Sequence, residues 1–172
     1  TANANALLTT LLSRCVRLDL KAVSDDKIRK FLMEAAQVPD YQADVCTAFA
    51  QGNVGKALAL AGSEHFHEIK ESVLQALRRI HDMELFELMQ EVRQIAAYKL
   101  EIQDYFDLMM IWYRDVLLYK ATADVNKLVF REEVYTIQKA ASHSSYSGIE
   151  AVLKALEKAK ARVLANVNFE LL

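Results

Sequence analysis

Ile102-Gln103-Asp104-Tyr105-Phe106-Asp107-Leu108-Met109-Met110-Ile111-Trp112-Tyr113-Arg114-Asp115-Val116-Leu117-Leu118-Tyr119-Lys120-Ala121 is the stretch that decides the fold. It holds no Gly or Pro, and at 3.6 residues per turn its apolar residues fall on nearly every side. A helix that is apolar all round is buried. Its six most apolar residues, Leu108–Tyr113, are flanked by Asp107, Arg114 and Asp115, whereas a membrane span needs about 20 largely uncharged residues. The segment therefore reads as the central helix of a helical bundle in a chain that does not cross a membrane.

Working outward, each neighbouring segment carries an apolar stripe for that helix. Ile69, Val73, Ala76, Leu77 and Ile80 form one, and Leu85, Leu88, Met89, Val92, Ile95 and Ala96 form another, with His81-Asp82 as the turn between them. After a turn near 123–126, a helix is expected over about 131–142. Ser147 and Glu150 have the spacing of a capping box ahead of Ile149, Val152, Leu153, Leu156, Ala159 and Val163. The result is a five-helix bundle beginning at Gly62-Ser63, a helix stop followed at once by a cap.

Before that boundary the helices are short. Ser24 with Asp25 and Asp26 is an N-cap and first-turn signal for Ile28, Phe31, Leu32 and Ala35. That helix should stop before Pro39, because the residue preceding proline is pushed out of the α region. Asp40 caps a second helix with Ala43, Cys46, Thr47 and Ala50 on one side. Gly52-Asn53 breaks it, and a third runs from Val54 to Ala61. At the front, Ala6–Leu12 reads as helix and Val16-Arg17-Leu18-Asp19-Leu20 alternates as a half-buried strand does. The fold class is thus mainly all-α: a three-helix module over 21–62, a helical bundle over 63–172, and over 1–20 a short helix-strand remnant of an α/β domain.

Composition narrows the function classes. Of 172 residues, 53% are hydrophobic and 26% charged, which excludes intrinsic disorder; four Gly and one Pro exclude turn-dense all-β designs. A net charge of −2 gives no overall positive field to draw the chain onto nucleic acid. Cys15 and Cys46 have no CxxC partner and read as reduced, packed thiols of a cytoplasmic protein. His65 and His67, two apart, face different sides of a helix and have no third ligand nearby, so no metal site is expected. The turn Gly52-Asn53-Val54-Gly55-Lys56 lacks the spacing and the following Ser/Thr of a P-loop. No nucleophile–base set can be assembled from spacing, so no intrinsic active site and no cofactor of its own are expected. The chain opens on Thr rather than Met and without a signal-peptide pattern, the reading of a piece of something longer. The unfinished apolar last helix, with Leu171 and Leu172, marks it as a scaffold for another helical protein.

Ser13-Arg14-Cys15, between a helix end and a strand, is the exception to this bland chemistry. Guanidinium suits the developing charge on transferring phosphoryl oxygens, and an arginine supplied by a neighbouring subunit accelerates hydrolysis by orders of magnitude. Leu7-Leu8-Thr9-Thr10-Leu11-Leu12-Ser13-Arg14-Cys15 and the following Val16-Arg17-Leu18 resemble the Ser-Arg-Cys region of the AAA+ clamp-loader subunits, with Thr9 where a proline often stands. Thr1-Ala2-Asn3 is similar to the end of that family's sensor 1 strand, the three-helix module to its lid, and the long-helix bundle to its collar.

The resemblance implies a subunit of the bacterial DNA polymerase III holoenzyme, in a heteropentamer with gamma/tau and delta subunits that loads the sliding clamp on primed DNA during replication. Arg14 would be an arginine finger acting in trans on ATP-Mg bound by the neighbouring subunit, positioned by Ser13 and by Cys15 through packing. In the ATP-using members a sensor 2 arginine stands where this chain has Gly55, in Gly52-Asn53-Val54-Gly55-Lys56-Ala57-Leu58, and Lys56 lies about 100° away around the helix. This implies a member that donates a finger without using ATP itself; the alternatives are a gamma/tau-type subunit or a helical interaction scaffold unrelated to replication. Arg162, Asn166, Asn168 and Leu171, with Leu172 beside them, resemble the ending of the family's last collar helix and imply a collar interface.

Overall fold

In a computed structural model of the chain, the structure describes residues 8–16, 18, 20–95 and 102–164. Nine α-helices are present among them: α1 (Thr9–Leu12), α2 (Asp25–Glu34), α3 (Asp40–Ala50), α4 (Val54–Ala61), α5 (Glu64–Arg79), α6 (Leu85–Ile95), α7 (Ile102–Thr122), α8 (Val134–His143) and α9 (Tyr146–Leu164). Two 3-10 turns, Val125–Lys127 and Arg131–Glu133, lie between α7 and α8.

The all-α reading holds, and no strand forms among the described residues. Within the alternating segment, Arg17 and Asp19 lie outside the described residues, while Val16, Leu18 and Leu20 are 84–97% exposed. A strand needs a partner to take its backbone hydrogen bonds, and among the described residues none pairs with Val16, Leu18 or Leu20.

The short helices begin and end where local chemistry puts them. Ser24 is the N-cap of α2, but its carbonyl rather than its hydroxyl does the work, accepting the Lys27 and Ile28 N–H groups at 3.0 and 3.2 Å. Asp40 is the first helical residue of α3, not its cap, and pairs with Arg29 of α2. Ala43, Cys46, Thr47 and Ala50 are buried as their spacing predicts. Gly52 breaks the chain with φ +87°, and a Cβ there would stand 2.4 Å from the Cβ of Ala22. Asn53 Oδ1 then accepts the Lys56 N–H and Ser63 Oγ the Phe66 N–H, capping α4 and α5.

α7 is the axis of the larger half, packed by α3, α5, α8 and α9. Tyr105, Leu108, Trp112 and Val116 are fully buried along it, and one continuous apolar cluster runs from Ile28 of α2 to Leu156 of α9. Asp115, fully buried on α7, accepts the Val129 and Phe130 N–H groups and so holds the turn that leads to α8. Arg78 of α5 grips buried Glu133 through two nitrogens, its Nε lying 3.1 Å from each carboxylate oxygen. Between α2, α3 and the turn before α8, Arg29 Nε donates to Asp44 Oδ1 at 2.6 Å while Arg131 approaches Asp44 Oδ2 at 3.5 Å. Charged groups taken from water need such partners.

The start of α9 differs from the expected capping box. Ser145 Oγ, two residues earlier, accepts the Gly148 N–H at 3.0 Å, leaving Ser147 Oγ on Ser145 Oγ and Glu150 on Lys154. An earlier hydroxyl with the right spacing simply reaches the free N–H first.

Candidate functional site

Arg14 lies in the turn that closes α1. Ser13 ends the helix in the αR region, its N–H donated to Thr9 O at 3.0 Å and its hydroxyl to Thr10 O at 3.1 Å; the Arg14 N–H then reaches Leu11 O at 3.1 Å. Ser13 thus tightens the turn that presents Arg14. The Arg14 side chain is exposed, with no carboxylate partner among the described residues. An unpaired guanidinium at a turn is chemically free to take a planar anion in two parallel hydrogen bonds.

Cys15 is not packed as the sequence reading has it. It is exposed, as are the residues of α1 beside it, none of which is buried; Cys46 is the packed thiol, with burial pushing it up to about 11. Gly55 is exposed in the first turn of α4, and the neighbouring Lys56 ammonium sits 4.5 Å above the Phe49 ring. Arg162 is half-buried in the last turn of α9. Asn166, Asn168, Leu171 and Leu172 lie outside the described residues. The structure brings Ser13, Arg14 and Cys15 together in one turn and shows no contact between them and Arg162.

His67 is spent on structure. Its Nε2 stands 2.7 Å from the Gln42 amide nitrogen, which donates to it, and His65 lies beside Glu68. Among the described residues no three His, Cys, Asp or Glu side chains converge, and no helix is long and apolar enough to cross a membrane.

One surface goes beyond the sequence reading. Much of the α6 stripe, expected to pack inside the bundle, faces water: Leu85 is 75% exposed, Met89 52% and Val92 53%, with Phe86 beside them 68% exposed, and no α6 residue is buried. Leu88 and Ile95 of the same stripe are partly covered, Ile95 against the core, as is Glu91, and Ala96 lies outside the described residues. The periodicity of the stripe was legible. What hides it is a partner question, and Phe86 beside Leu85, widening the apolar face, is the sequence signal for it.

Residues 64–172 match the family described as DNA polymerase III, delta subunit, C terminal. The chain belongs to this family. The match opens on Glu64, the first residue of α5, and takes in all of the α5–α9 bundle. Across 173 aligned residues the chain is also 24% identical to DNA polymerase III subunit delta' of Bacillus subtilis (strain 168), which covers 99% of this chain and 52% of that protein. The chain spans about half the length of this curated relative. No solved structure matches it.

Proposed function

We propose that this chain is the C-terminal part of the delta prime subunit of a bacterial clamp loader, serving sliding-clamp loading in DNA replication. The family match over residues 64–172 carries the reading, and similarity to a delta' subunit along 99% of the chain supports it. In this account residues 1–20 are the edge of an AAA+ domain, 21–62 its lid and 63–172 the collar. The partners are gamma/tau and delta in a heteropentamer, and through them the clamp and primed DNA.

Arg14 approaches the γ-phosphate of ATP held by a neighbouring subunit and stabilises charge as it develops on the transferring oxygens. Ser13 positions it through the turn hydrogen bond. The exposure of Arg14, with no ion-pair partner among the described residues, is what a finger acting in trans needs. Gly55, which has no side chain to reach a phosphate, supports a finger donor over a gamma/tau-type ATP user. The test is the Arg14→Ala variant of the full-length protein in a reconstituted loader. Clamp- and DNA-stimulated ATP hydrolysis falls about 10-fold or more while assembly is retained; unchanged hydrolysis at saturating clamp and primed DNA rejects the finger.

The exposed α6 stripe also fits a plain helical scaffold. That reading predicts association with helical partners that is indifferent to delta and gamma/tau.

A further inference from the structure

A groove of about 240 Å³ lies where the C-terminal end of α3 meets α7 and α9. Phe49, Met110, Ile111 and Leu153 supply its apolar surface, and Gln51, Asp107 and Arg114 its polar edge. Asp107 is already neutralised by Lys160 of α9, in an ion pair that both side chains half bury. Arg114 is exposed and forms no ion pair among the described residues, although its charge is felt by buried Asp115 beside it on α7. Beside the groove, the Lys56 ammonium stands over the Phe49 ring, and it too forms no ion pair among the described residues. Among the described lining residues the one acid, Asp107, is thus paired, and two cations flank the apolar floor.

We propose that this groove docks an acidic-apolar linear segment of a partner protein. One large apolar side chain sits on Met110, Ile111 and Leu153, and a carboxylate of the same segment takes Arg114 in a two-point pair, with Lys56 drawing a second acid. The volume lies just below the roughly 300–1,000 Å³ of small-molecule pockets, so it suits a side chain rather than a whole cofactor. A nucleic-acid strand needs a track of cations along its phosphates, and two cations across an apolar floor do not make one. The inference stands on the groove itself and does not depend on the clamp-loader reading.

The probe is a fluorescein-labelled peptide ending Asp-Asp-Leu-Phe, with a Lys-Lys-Leu-Phe amide as control, titrated by fluorescence anisotropy against the full-length protein. The acidic peptide binds saturably, more weakly as salt rises, and the basic one does not. Arg114→Glu weakens binding about 10-fold or more, the effect of one lost charge-assisted hydrogen bond, with an unchanged melting temperature. Leu153→Glu also weakens it, and Arg114→Lys restores part of the affinity. Equal binding of the two peptides, no saturation, or an Arg114→Glu protein that binds as before overturns the proposal. So does an oligothymidylate that binds through Arg114 while the acidic peptide does not.

Discussion

The carboxylate of Asp115, in the middle of α7, accepts the backbone N–H of Phe130 at 2.8 Å from a fully buried position. The same oxygen takes the Val129 N–H at 2.8 Å, so one side chain supplies what the turn after α7 cannot supply for itself. Asp115→Ala strands two backbone donors and lowers stability by about 2–4 kcal/mol in urea unfolding.

Burial holds the Asp115 carboxyl above the ordinary carboxylate value, and the two backbone hydrogen bonds only partly oppose this. The folded chain therefore keeps a proton that the unfolded chain has released. Its contribution to stability is complete below the unfolded pKa and is lost as pH rises through the folded one. Asp115→Asn cannot titrate. The stability of the natural chain relative to this variant is accordingly greatest in acid and declines as pH rises from about 4 towards neutrality; a flat difference would show that Asp115 is not raised.

The two thiols differ in reactivity. Cys46 is buried, with its pKa raised to about 11, whereas Cys15 is exposed. Ellman's reagent at mild alkaline pH titrates one thiol rapidly in the native 172-residue chain and the second only on unfolding. Two rapid thiols would mean that α3 opens readily.

Leu85, Phe86 and Met89 on α6 face solvent, so replacing Phe86 and Met89 by Glu touches no buried contact. Thermal unfolding should shift by no more than about 0.5 kcal/mol in stability per substitution. On the proposed clamp-loader reading, association with delta and gamma/tau should fall sharply in analytical ultracentrifugation, because the apolar face is what a partner would cover.

Much of this was legible in the residues, for physical reasons that vary by element. α4 was bounded to the residue because Asn53 and Gly62 are local signals, and α7 was read as a buried helix because its apolar residues fall on nearly every side while flanking charges break the run, its end set at Ala121 against the observed Thr122. The start of α9 was not, since Ser145 and Ser147 both offer hydroxyls and only geometry decides which reaches an N–H. The Val16–Leu20 alternation fits a strand, but strands are made by neighbours that sequence spacing cannot supply. The Asp44 network and the Asp115 staple join residues 14 or more positions apart, which no local pattern reveals. Of the candidate site, Ser13-Arg14-Cys15 was readable as a motif. The outward turn of α6 was not, because the same stripe serves an inner or an outer partner.

The most direct measurement of the central claim is native mass spectrometry of the full-length protein mixed with the delta and gamma/tau subunits of its own organism. A heteropentamer containing one copy of this protein is expected, reduced by the α6 Glu substitutions but not by Arg14→Ala. A free monomer, or a homo-oligomer that ignores those subunits, would contradict it.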